Sequence, residues 1–122
     1  MSKLEPTRLH VTEDKVKAYA ALSGDFNPLH LDEEFARTTF HGTRIAHGTL
    51  SLNLLWQSIA ATYGLEDLST RKLDVRFVKP VYLDDTVTAG SDDTPHADGR
   101  LPVWVKNQHG EAVISGWLAD VS

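Results

Sequence analysis

The run Ser23-Gly24-Asp25-Phe26-Asn27-Pro28-Leu29-His30 gathers a carboxylate, an amide and an imidazole on one short stretch. Three such groups can handle a single water molecule. A carboxylate accepts a hydrogen bond from it, a neutral imidazole takes or returns a proton near pH 7, and an amide offers fixed donors and acceptors. The same residues also suit a structural part, with Asp25 capping a turn, Asn27 closing an Asx-turn and His30 packed under the next helix. Spacing alone leaves both open.

A second stretch, Ile45-Ala46-His47-Gly48-Thr49-Leu50, opens the most apolar segment of the chain. Free backbone N–H groups at a helix N-terminus, aided by the macrodipole, suit an oxygen that gains negative charge. Gly48 has no Cβ, so a ligand carbonyl could approach its backbone closely. The alternative is that Gly48 only lets the helix pack tightly on a sheet and that His47 is structural.

These residues need elements to hold them. Three helical segments precede a strand-rich half, which predicts an α+β domain. Thr12 caps a first helix with Glu13 and Asp14 in its first turn and an apolar face of Val16, Tyr19, Ala20 and Leu22. Gly24 stops that helix, and Pro28 drives Asn27 towards extended geometry, so Asp25 to His30 is expected as an ordered loop. Asp32 caps a second short helix, with Phe35 pointing inward, that ends near Thr38–Thr39. From Ile45 to Tyr63 no Asp, Glu, Lys or Arg occurs and apolar residues fall on nearly every side, the pattern of a buried helix, ended by Gly64. Then the period becomes two: Leu73, Val75 and Phe77 alternate with Lys72, Asp74 and Arg76, and Pro80 closes the strand. Further strands fit Thr86–Asp92, Leu101–Asn107 and Ala112–Val121, with turns at Asp98-Gly99 and His109-Gly110 and the last two strands as a hairpin.

Composition narrows the function. At 122 residues the chain predicts one domain, 1–122, and 41% hydrophobic with 24% charged residues is a globular composition. Twelve Lys and Arg against seventeen Asp and Glu give a net charge of −5, a field that repels nucleic acid and anionic membrane. Without cysteine there is no thiolate nucleophile and no cysteine-based metal centre. Asp25, His30, His41 and His47 lack the helical spacing of known zinc motifs, so no metal is expected, and without a Rossmann fingerprint or P-loop no cofactor is expected. The start MSKLEPTRLH lacks the apolar run of a signal peptide, which points to a cytoplasmic protein.

Taken together, SGDFNPLHLDEEFA and IAHGTL resemble the MaoC-like dehydratase family and its (R)-specific enoyl-CoA hydratases, whose signature joins D-x-N-P-x-H to a downstream H-G. LDVRFVKPVYLDDTVTA resembles the family's strand along the central helix, so the likeness covers nearly the whole chain. The resemblance implies a hot-dog fold, an antiparallel sheet wrapped around a long central helix, with two copies joined as a homodimer. It implies reversible hydration of a trans-2-enoyl thioester to the (R)-3-hydroxyacyl product, with CoA or acyl-carrier protein as carrier. Carried over, the catalytic Asp and His fall on Asp25 and His30, the supporting Asn on Asn27, and the oxyanion-binding N–H on Gly48. His47, Thr49, Asn53 and Trp56 fall at the substrate.

Thr49 stands where many relatives place Met, and with Asn53 and Gln57 it forms a polar stripe beside Trp56. If it lined an acyl tunnel, that stripe would disfavour long apolar chains. Lys72, Arg76 and Lys79, with Arg44 and Arg71, are candidates to meet CoA phosphates. Two rivals share the fold. One is thioester hydrolysis, against which the central helix carries no acidic residue. The other is a non-catalytic acyl-CoA-binding subunit of a heteromeric hydratase, which has no use for all three loop groups.

Overall fold

The computed structural model describes residues 1–121. Its strands are β1 (Thr7–His10), β2 (Arg71–Phe77), β3 (Thr86–Ser91), β4 (Leu101–Lys106) and β5 (Ala112–Asp120), and its α-helices are α1 (Glu13–Ser23), α2 (Pro28–Leu31), α3 (Glu33–Arg37) and α4 (Gly48–Tyr63). All five strands form one antiparallel sheet in the order β1-β3-β4-β5-β2. One face of the sheet curls around α4, the hot-dog arrangement. Leu54, Leu55 and Ile59 of α4 meet Val87, Val103, Val105, Ile114 and Leu118 of the sheet in one core.

Local signals act where the sequence puts them. The Thr12 side chain accepts from the Lys15 N–H at 3.3 Å, a cap of about 1 kcal/mol. Gly24, at φ 76°, takes the left-handed conformation that ends α1, where a Cβ would be strained. Asp32 caps α3 through the N–H groups of Glu34 and Phe35. In β2, Leu73 and Val75 turn inward while Lys72, Asp74 and Arg76 face water. The hairpin of β4 and β5 turns at Gly110.

Five expectations are corrected. A strand, β1, precedes the helices: Leu9 pairs with Val87 and His10 with Thr86. Four residues are too few for a clear period, and their partner lies far along the chain. The central helix begins at Gly48 because Ile45 bridges Tyr82 and the Ala46 N–H donates to the Val81 carbonyl at 2.7 Å. Nor is α4 covered on every side. Ser51, Leu54, Leu55, Ser58 and Ile59 are buried, whereas Gly48, Thr49, Asn53 and Gln57 are exposed, since one sheet covers one face of one helix. His30 stands on a one-turn helix, α2, because Pro28 at its first position has a preset φ and Asn27 supplies the cap. Finally, Leu22, Phe35 and Phe77 are exposed; in α1 and α3 the inward positions go to Val16, Ala20 and Ala36.

Ser58, Thr62 and Tyr63, in the second half of α4, have partners in the N-terminal segment. Ser58 Oγ–H donates to the Glu5 carbonyl, the Glu5 N–H donates to Thr62 Oγ1 at 2.9 Å, and Tyr63 O–H donates to the Ser2 carbonyl at 2.6 Å. This strap holds Leu4 in the core at 1% exposure.

Candidate active site

Asp25 follows the C-cap of α1, and its backbone is tied on both sides. Its N–H donates to Ser23 Oγ at 3.2 Å, and its Oδ1 accepts from the Asn27 N–H at 3.2 Å. The other carboxylate oxygen, Oδ2, faces His30 Nε2 at 3.8 Å. Asn27 Oδ1 accepts from the Leu29 N–H at 3.0 Å, so Asn27 caps the turn that carries His30 and positions it.

The ring of His30 is fixed by a contact fifteen residues away: Nδ1 lies 2.8 Å from the Ile45 carbonyl. A carbonyl only accepts, so Nδ1 carries the hydrogen, and in the neutral ring the lone pair is on Nε2, towards Asp25. Two acceptors therefore face each other. With no hydrogen between them they cannot bond to each other, and a molecule with two O–H donors satisfies both.

His47, the N-cap of α4, lies under this pair. Its Nε2–H donates to the Asp25 carbonyl at 2.9 Å, its ring stacks on His30 at 3.8 Å between centroids, and the Tyr19 ring meets it edge-on at 5.1 Å. Asp25, His30 and His47 each bring one ligand-capable atom within 4.8 Å of the others, while His41 is not part of the group. Each imidazole spends one nitrogen on a backbone carbonyl, and the rings stack 28° from parallel, so their remaining lone pairs lie in separate, nearly parallel planes, a poor fit to a cation that must lie in the plane of both. The donor set suits proton transfer better.

Tyr19 is the site residue that sequence spacing misses. Its O–H donates to Thr49 Oγ1 at 2.8 Å and accepts from Asn53 Nδ2 at 3.0 Å. In the sequence Tyr19 is one more large residue on the first helix, and only a buried-side hydroxyl marks it. This chain of bonds decides the polar stripe. Thr49 and Asn53 answer to Tyr19, Gln57 is exposed, and Trp56 packs against the core. None of the four lines the cleft beside Gly48. We predict that Asn53→Ala leaves the ratio of kcat/KM for four- and eight-carbon enoyl-CoA unchanged, as measured on purified protein.

That cleft, about 300 Å3, lies between the start of α4 and the ends of β2 and β5, with Ile45, Ala46, Gly48, Phe77, Val81 and Ile114 among its walls. Asp25 and His30 stand outside it, across His47. Gly48 joins the two regions. Its N–H, first in the helix, has no partner among the described residues, and a Cβ there would come within 3.0 Å of Phe77 Cε1.

The basic residues are mostly engaged elsewhere. Arg44 donates to Glu13 at 2.9 Å and to Glu33 at 3.2 Å, joining α1, α3 and the approach to α4. Arg71 pairs with Asp120 and Lys79 with Glu111. Lys72 and Arg76 of the expected phosphate group stand exposed on β2 without such an ion pair among the described residues. The hydrogen bond from Arg44 holds the Glu13 carboxyl below its ordinary range. A depressed carboxylate stabilises the fold above its unfolded value, and that contribution is lost as pH falls through the folded one. Arg44→Met should therefore lower Tm by a few degrees at pH 7, with the difference from wild type closing on acidification below the usual carboxylate range.

Comparisons with known proteins give the chain a family. The family model for the MaoC like domain matches residues 2–111. An (R)-specific enoyl-CoA hydratase of Aeromonas caviae is 40% identical over 106 residues, 84% of this chain and 79% of that protein. Another from Rhodospirillum rubrum is 35% identical over 79 residues, 65% of this chain and 55% of that one. A mitochondrial 3-hydroxyacyl-[acyl-carrier-protein] dehydratase of Arabidopsis thaliana is 37% identical over 84 residues, 69% of this chain and 49% of its own length. The chain thus spans about half the length of these last two relatives. Among solved structures, an (R)-hydratase from A. caviae is similar at a TM-score of 0.72 and 30% identity, covering 100% of this chain and 98% of that one. An unliganded R-hydratase from Pseudomonas aeruginosa reaches 0.74 at 30% identity, with 97% and 79% covered. With the family model over residues 2–111, the D-x-N-P-x-H loop and the H-G start of the central helix in place, the chain belongs to the MaoC-like domain family.

Proposed function

We propose that this chain adds water reversibly across the 2,3 double bond of a trans-2-enoyl thioester, giving the (R)-3-hydroxyacyl thioester. The observation that carries this reading is the facing pair of acceptors, Asp25 Oδ2 and His30 Nε2 at 3.8 Å, beside a free N–H at the start of α4. A water that donates one O–H to each acceptor has its lone pairs free for C3. As the new C–O bond forms, the π electrons move through C2 to the thioester oxygen, where the Gly48 N–H and the helix macrodipole meet the developing charge. The water loses one proton to the Asp25–His30 pair, and the pair returns one to C2, so none is consumed. Which of the two groups releases it is a property of the pair. The named activities of relatives at 35% and 40% identity support the reaction class and its stereochemistry. The test is loss of enone absorbance when purified protein meets crotonyl-CoA, with chiral analysis of the product. Release of free CoA thiol without loss of the enone would instead mean hydrolysis.

We further propose that two copies assemble. The outer edge of β2 pairs with no strand among the described residues, and beside it Phe77 and Val78 are 57% and 52% exposed. An unpaired edge next to exposed apolar side chains is the kind of surface a symmetric partner covers. Light scattering at micromolar concentration should give a mass of two chains or more, and a monomer would count against the assembly.

A further inference from the structure

The cleft beside Gly48 holds a polar group that no described residue satisfies. Ser51 is 2% exposed, lines the cleft, and its Oγ has no hydrogen-bond partner among the described residues. This stands apart from the other buried serines: Ser58 Oγ–H donates to the Glu5 carbonyl, and Ser91 Oγ accepts from the Leu4 N–H and donates to the Asp92 carbonyl. Buried hydroxyls are normally paired, so a lone one on the wall of a cleft marks a place where something else supplies the partner. The neighbouring walls are chiefly apolar and offer none.

Its position on α4 says what that partner is. Ser51 lies three residues after Gly48, so the two share a face of the helix, and helical side chains lean towards the N-terminus. The Ser51 hydroxyl therefore leans over the turn that starts at Gly48. Because Gly48 has no side chain, nothing of its own stands between that hydroxyl and an oxygen docked on its N–H. We infer that Ser51 Oγ–H is a second donor to the thioester carbonyl oxygen held by the Gly48 N–H. The inference rests on the proposed hydratase reading and adds to it a residue outside the D-x-N-P-x-H loop. A carbonyl oxygen has two lone pairs, and as it becomes enolate-like both accept more strongly, so the second donor acts chiefly in the transition state.

The test compares wild type with Ser51→Ala and Ser51→Thr, by turnover of crotonyl-CoA and by the absorption of bound hexa-2,4-dienoyl-CoA. The dienoyl band moves to longer wavelength when the carbonyl oxygen is polarised by donors. Loss of one such donor costs about 10²-fold in kcat, so Ser51→Ala should fall by that order, show a smaller red shift and keep its Tm, while Ser51→Thr recovers part of both signals. A Ser51→Ala protein with the wild-type red shift and kcat overturns the donor assignment and leaves the hydratase reading standing. The same holds if kcat falls while the red shift is untouched, since the hydroxyl then acts elsewhere. If the wild type shifts the dienoyl band but does not hydrate crotonyl-CoA, and Ser51→Ala loses the shift, the donor assignment stands and the hydratase reading fails. A wild type that binds neither thioester overturns both.

Discussion

Asp25→Asn lowers hydration of crotonyl-CoA by about 10²–10⁴-fold without changing the fold, and His30→Ala does the same; that is the expected result for groups that move the proton. The Asp25 side chain is about half exposed, so an amide in its place keeps the Asn27 N–H bond through its carbonyl oxygen and disturbs no core packing. What it loses is the charge and the second acceptor facing His30. His30→Ala removes the Nε2 lone pair and also frees the Ile45 carbonyl, which water can then satisfy. Because the two groups act on one water, the double variant should be little worse than either single one. Circular dichroism and Tm separate loss of chemistry from loss of fold. Near-normal turnover in either purified single variant would sink the assignment.

Gly48→Val has the next largest expected effect, a loss on the order of 10²-fold in kcat/KM with a small change in stability. The reason is one of space. A Cβ at Gly48 stands 3.0 Å from the Phe77 ring, the far end of a side chain that need give by only a few tenths of an ångström, so the fold survives. The thioester oxygen has no such freedom, because it must come within hydrogen-bond distance of the N–H that the valine shields. A Gly48→Val protein that keeps full rate would leave the backbone donor without support. Gly48→Ala, with only the Cβ, should fall between.

The sequence by itself determined those features whose partners lie within a few residues. Thr12 reaches Lys15, Asp32 reaches Glu34 and Phe35, and Gly24 ends a helix because of its own φ. The alternation in β2 shows in Leu73 and Val75 because period two is a property of the strand itself. The signature residues of the family were legible for the same reason, being adjacent in the chain. Tertiary structure decided the chemical identity of each group. His30 has its lone pair on Nε2 only because the Ile45 carbonyl, fifteen positions on, takes the hydrogen of Nδ1. Thr49 and Asn53 are claimed by a tyrosine thirty and thirty-four positions back. Long-range contacts of this kind leave no local signal, because each needs the chain closed around α4 before either partner meets the other. The same holds for β1, which pairs with residues nearly eighty positions away, and for the single covered face of α4. A stretch apolar on all sides states that burial is favourable; how much of it one sheet can provide is set by geometry.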